Sequence, residues 1–144
     1  MRFAMRRLVS ILLLAAALPQ LCSSVASAHE GHVHEAQDVA VEGAPAIRDF
    51  RIEKDPAGGW SAVLDTANFS FVPDDAASVP AGHVGHAHLF INGTEYGMLY
   101  EPVSHIDELP FGEHDFRVVL NNQEHAEYAI TGRPIEARLS LTVE

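Results

Sequence analysis

His86-Ala87-His88-Leu89-Phe90-Ile91, then Asn92-Gly93-Thr94, then Glu95-Tyr96-Gly97-Met98-Leu99-Tyr100, is the sequence of a β-hairpin. Asn-Gly is the dipeptide that best tolerates the two positive φ angles of a tight type I′ turn, and here it stands between two runs of strand-forming residues. With a two-residue turn, residue 86 falls opposite 99 and residue 88 opposite 97. Alternation along a strand sends His86 and His88 to the same face, with Cα atoms about 6.5–7 Å apart.

Outward from this hairpin the chain continues as short strands with turn signals between them. Ile47–Lys54 and Trp60–Phe71 are separated by Asp55-Pro56-Ala57-Gly58-Gly59, which reads as strand, turn, strand. Residues Pro73–Gly85 form a Pro/Asp/Ala/Gly loop ahead of the hairpin. Leu109-Pro110-Phe111-Gly112 is a further turn that launches a strand over His114–Leu120. Asn121–Pro134 is a long connection, and Ile135–Val143 alternates apolar with polar residues as a last strand. After the N-terminal segment, no stretch of ten or more residues carries a helical stripe. About seven strands in roughly 100 residues predict an all-β protein, a single immunoglobulin-like antiparallel β-sandwich, with a small open barrel as the alternative. The expected inward side chains are Val63, Leu89, Ile91, Val118, Leu120, Ile135, Leu139 and Leu141.

The N-terminus reads differently. Arg2, Arg6 and Arg7 precede an apolar run from Leu8 to Leu18, and Ala26-Ser27-Ala28 supplies small residues for cleavage. Residues 1–28 are therefore expected to be a secretory signal peptide, cut after Ala28, with the product periplasmic or secreted. Residues 29–46, rich in His and acid, are expected to be a flexible arm, leaving 47–144 as the folded domain. Cys22, the one cysteine of the chain, lies in the expected signal, so neither disulfides nor thiolate metal ligands are expected in the domain. The net charge is −11, from twenty acidic against nine basic side chains. The signal holds three of the basic residues and none of the acids, so cleavage deepens the acidity. Such a surface disfavours nucleic acid and anionic lipid as partners, and no membrane span is expected in the domain.

Nine histidines are far more than ordinary composition supplies, and they fall at 29, 32 and 34 and again at 83, 86, 88, 105, 114 and 125. Neutral imidazole suits zinc, copper and nickel, and an H-x-H pair on one strand face gives two donors to one ion. His105, which follows the second strand of the hairpin, and His125, in the long connection, are the candidate further ligands. His83 is a candidate accessory ligand on the loop. His29, His32 and His34 on the arm are others, the first with its α-amine freed by cleavage. His114 shares parity with Phe116, Val118 and Leu120 and reads as structural. Met98 offers a thioether that would suit copper(I), but a lone Met on a strand reads as packing.

Several segments together resemble a family of small secreted proteobacterial domains. They are Gly85-His86-Ala87-His88-Leu89-Phe90-Ile91-Asn92-Gly93, His105, Pro110-Phe111-Gly112-Glu113-His114 and Asn122-Gln123-Glu124-His125. In that family a GHAHL(Y/F)xNG strand, a later His, a PxGxH turn and an N-x-x-H loop recur, often behind a His-rich N-terminus. The likeness covers residues 59–143. It implies an immunoglobulin-like fold with metal binding and carries over His86, His88, His105 and His125, whereas the position of Met98 is more usually basic there.

The function expected from these residues is metal-ion binding, copper(II) ahead of zinc, in a periplasmic or secreted buffer or chaperone. A non-catalytic interaction module, pairing with another envelope protein through a strand edge or the Asn121–Pro134 loop, is the alternative. A small metalloenzyme with Glu101 or Glu124 as base is a third reading, without the His-Glu spacing such chemistry uses.

Overall fold

The computed structural model describes residues 35–144. The expected signal, its cleavage point, Cys22 and the arm histidines His29, His32 and His34 lie outside the described residues. The described chain is all-β, with eleven strands in element order: β1 (Ala36–Asp38), β2 (Ala46–Lys54), β3 (Trp60–Ala67), β4 (Phe69–Phe71), β5 (His83–Ile91), β6 (Thr94–Leu99), β7 (Val103–Ile106), β8 (Gly112–Asn121), β9 (Glu127–Ile130), β10 (Arg133–Pro134) and β11 (Glu136–Val143). Eight strands form one sheet along the path β1-β9-β8-β5-β4, with β6 on β5, β11 on β8 and β10 on β9, while β2-β3-β7 form a second sheet. The two sheets stay separate, so the described residues do not close into a barrel. No helix among them is long and apolar enough to cross a membrane.

The Asn92-Gly93 hairpin forms as its sequence dictates, with φ of 53° and 79° at the two turn residues. Its register departs by one residue from the simple count. Ile91 pairs Thr94 and Phe90 pairs Glu95, but Leu89 pairs Gly97, so His88 faces Met98 and Ala87 faces Leu99. The extra residue, Tyr96, makes a β-bulge, which bends and twists the strand it interrupts. The Asn92 side chain also ties the turn to β8, its Oδ1 accepting from the Asp115 amide at 3.0 Å.

The apolar face of β5 and β8 supplies the core. Ala87, Leu89, Leu99, Phe116, Val118, Leu120 and Tyr128 of the larger sheet join Ala62, Leu64 and Ile106 of the smaller one in a single buried cluster. Of the expected inward residues, Leu89, Val118 and Leu120 are wholly buried. Ile91, Ile135, Leu139 and Leu141 are half-buried against the cluster. Val63 is a correction: on β3 the parity belongs to Ala62 and Leu64, and Val63 is only half-buried.

Three further differences have local causes. The expected strand Trp60–Phe71 is cut at Asn68, whose left-handed φ of 52° turns the chain from one sheet into the other; a single residue of this kind is how a strand changes sheets. The expected connection Asn121–Pro134 contains β9 and β10, and the expected arm contains β1, which pairs parallel with β9 from Ala36 opposite Glu127 to Asp38 opposite Ala129. Residues 35–39 are thus bound to the sheet. Pro45 is among the fully buried side chains. With β4 also parallel to β5, the sheet is mixed, not purely antiparallel. A hydrophobic-pattern reading passes over strands of three or four residues such as β1, β7 and β9 because they are too short to show alternation.

Candidate metal centre

His86 and His88 alternate with Ala87 and Leu89 on β5, so they occupy the sheet face opposite the hydrophobic core. Their cross-strand neighbours on β8 are Asn121 and Val119. The strand reaches this position by a close approach at Gly85, which has a φ of 152°. A Cβ there would stand 1.9 Å from the Asn121 carbonyl oxygen. Only glycine lets the β5 and β8 backbones come this near.

The third histidine arrives from the turn joining β8 to β9. His125 adopts a left-handed φ of 65°, and neighbouring amides fix the turn around it. Asn122 Oδ1 accepts from the amides of Glu124 and Ala126 at 2.9 Å each. Asn121 Nδ2 donates to the His125 carbonyl at 2.9 Å. A non-glycine residue in this region costs about 1–2 kcal/mol. The turn bears that strain and directs the imidazole at β5.

The three rings converge. His86 Nε2 and His88 Nε2 are 2.9 Å apart, and His125 Nδ1 is 3.3 Å from His88 Nε2. One nitrogen from each ring lies within 4.8 Å of the other two, an arrangement that can hold a metal ion. Two nitrogens, each about 2.0–2.1 Å from one ion, stand about 2.9 Å apart at a right angle and about 3.3 Å apart at the tetrahedral angle. The two close separations match both values. His86 and His88 are 0% and 3% exposed, while the His125 side chain is 42% exposed and forms the open side.

Each outer nitrogen faces a carboxylate. Asp74 Oδ1 is 3.1 Å from His86 Nδ1, Asp74 Oδ2 is 3.6 Å from His125 Nε2, and Glu95 Oε1 is 3.2 Å from His88 Nδ1. At His86 Nδ1 and at His88 Nδ1 the geometry falls outside hydrogen-bond limits, so the contacts with Asp74 and Glu95 are ones of charge and proximity. Tyr100 donates its hydroxyl to Asp74 at 2.8 Å, and its ring lies 5.3 Å from that of His86. Burial, with the Asp74 carboxylate adding to it, pushes the Tyr100 hydroxyl up to about 12, so it stays a donor.

Burial also governs His86. Loss of water pushes its ring down to about 4, and repulsion from His88 and His125 adds to this against the pull of Asp74. The ring is therefore neutral at pH 7, which is the form that binds metal.

Of the four ligands expected from sequence, the fold brings His86, His88 and His125 together and leaves His105 apart. His105 is on β7 in the smaller sheet, opposite Ser61 of β3. Its side chain is 58% exposed, with Nδ1 3.7 Å from Asp55 Oδ2. The cause is the stretch after Tyr100: instead of remaining beside the hairpin, the chain crosses to pair with β3. His83 opens β5 with parity opposite to His86, its ring 5.5 Å from that of Tyr128. His114 is buried, with Nε2 donating to the Pro110 carbonyl at 2.8 Å, and its role is structural. Met98 faces His88 across the strand pair, 40% exposed. Glu101 and Glu124 are exposed.

The sequence reading missed Asp74, Glu95 and Tyr100. Glu95 had a signal, since the hairpin count already places it opposite Phe90, diagonal to His88. Asp74 had none, lying in a loop whose path the local pattern does not determine. Comparison with protein-family models, with curated proteins and with solved structures gives no match.

Proposed function

We propose that this protein is a metal-binding buffer or chaperone, taking copper(II) ahead of zinc through His86, His88 and His125. The observation that carries this reading is a conflict in the placement of protons. Three neutral imidazoles hold three N–H groups. If all three point outward to Asp74 and Glu95, three lone pairs meet at the centre, with separations of 2.9 and 3.3 Å. If one points inward, a ring lone pair is turned on a carboxylate. A cation at the centre removes the conflict, and burial of His86 argues against that cation being a proton.

Nitrogen donors without thiolate favour copper(II), which stands above zinc in the order of affinities for such ligands. Three protein donors leave a position open for water or a partner's side chain, which suits handing an ion on. Burial of two of the three rings, with His125 partly exposed beside them, fits an ion better than an organic substrate. This supports binding over catalysis. We also propose export through the N-terminal leader and an immunoglobulin-like type for the two-sheet scaffold, the latter supported by the shared core and by the resemblance of residues 59–143. Isothermal calorimetry tests the reading. A dissociation constant below micromolar for copper(II) or zinc, lost when His86 and His88 are both changed to Ala, supports it; no such binding, or binding indifferent to the double change, refutes it.

A further inference from the structure

We infer that Asp74 and Glu95 set the charge preference of the three-histidine site, making it select a divalent over a monovalent cation. This rests on the metal-binding reading above and adds two residues to it as positioning residues, since each acts through a histidine.

The geometry is the ground for it. Every ring has its inner nitrogen toward the other rings and its outer nitrogen toward a carboxylate oxygen, at 3.1 Å for His86, 3.2 Å for His88 and 3.6 Å for His125. Asp74 serves two rings with its two oxygens, and the Tyr100 hydroxyl at 2.8 Å holds it in place. A negative charge this close behind an imidazole favours the ring proton on the outer nitrogen by electrostatics, without an aligned hydrogen bond at His86 or His88 Nδ1, which leaves the inner lone pair free and makes it a stronger base. Asp74 comes from the loop after β4 and Glu95 from β6, so two separate elements supply the same feature.

The charge count then favours one class of ion. Three neutral rings contribute nothing, and two carboxylates contribute −2. A divalent ion brings the group to neutrality. A monovalent ion between the rings gains only half the Coulomb attraction that a divalent ion gains from Asp74 and Glu95, whose side chains are 37% and 39% exposed, so the preference comes from the charge of the ion and is softened by solvent screening. Met98, the one thioether among the described residues, has its sulfur 3.1 Å from the Tyr100 hydroxyl, which is a contact other than one to the rings.

The test uses the full chain with zinc(II) and silver(I) as probes, in competition titrations on wild type, Asp74→Asn, Glu95→Gln and the double variant. Each single change is expected to weaken zinc binding about 10- to 100-fold, while silver binding, with half the charge, weakens only about 3- to 10-fold. Equal loss of both ions would mean a general disturbance of the site, and unchanged zinc affinity would mean the carboxylates are bystanders; either overturns the inference. Nitrogen-15 NMR of the wild-type zinc complex needs no variant: protonated Nδ1 on His86 and His88 is expected, and unprotonated Nδ1 overturns it. Failure of wild type to bind zinc would overturn the three-histidine reading itself, a result distinct from wild-type binding with insensitive variants.

Discussion

Lowering the pH of the metal-free protein from 7 to 4 probes the burial of His86 directly. In the unfolded chain this ring takes up a proton near pH 6.5, whereas in the fold it resists until about pH 4. Between those values the unfolded state holds more protons, so the free energy of unfolding falls as pH falls. The contribution is fully present above pH 6.5 and is lost on the way down to pH 4. Each pH unit in this window removes at most about 1.4 kcal/mol, accumulating to about 3 kcal/mol. That is a large share of the roughly 5–15 kcal/mol that a domain commonly has. Carboxylates held below their usual range by their partners, such as Asp55, Glu108 and Glu136, take their toll chiefly below about pH 4.5, so the upper part of the window isolates histidine. Urea unfolding followed by circular dichroism, in chelator, at half-unit steps from pH 7 to 4.5, gives the slope. His86→Gln, which does not titrate, should flatten it. A flat wild-type profile, or a His86→Gln profile as steep as wild type, would refute the burial argument.

Three other outcomes follow from the same contacts. Gly85→Ala places a methyl 1.9 Å from the Asn121 carbonyl, forcing β5 from β8; a loss of about 3 kcal/mol or more in urea unfolding is expected, with metal binding lost as well. His125→Gly relieves the left-handed strain at φ 65°, so the metal-free protein should gain up to about 1 kcal/mol while zinc affinity falls at least tenfold; a destabilised variant with full affinity would contradict the assignment. His105→Ala removes an exposed ring on the other sheet, so copper and zinc affinities should stay within about threefold of wild type by calorimetry.

How much of this could be read from the chain alone depended on how local each cause was. The Asn92-Gly93 turn is a two-residue signal, and it gave the hairpin and placed His86 and His88 together on one face. The bulge at Tyr96 shifted the register because nothing in an alternating run marks where an extra residue enters. His125 was found by residue type, but what aims it is the Asn121 and Asn122 side chains holding one left-handed residue, a tertiary effect. His105 looked equivalent in sequence and parted from the others because pairing of β7 with β3 takes it to the second sheet. The burial of the histidines was legible only in three dimensions: a strand reading cannot tell an outer sheet face that meets solvent from one covered by the Asp74 loop and the β8–β9 turn.

The central claim is that one ion sits among these three rings. X-ray absorption at the copper and zinc edges of the loaded protein, repeated on His86→Ala and His125→Gly, tests it most directly. A first shell with three imidazole nitrogens at about 2.0–2.1 Å is expected, losing one nitrogen in each variant. A shell dominated by oxygen, or one unchanged by either substitution, would contradict it.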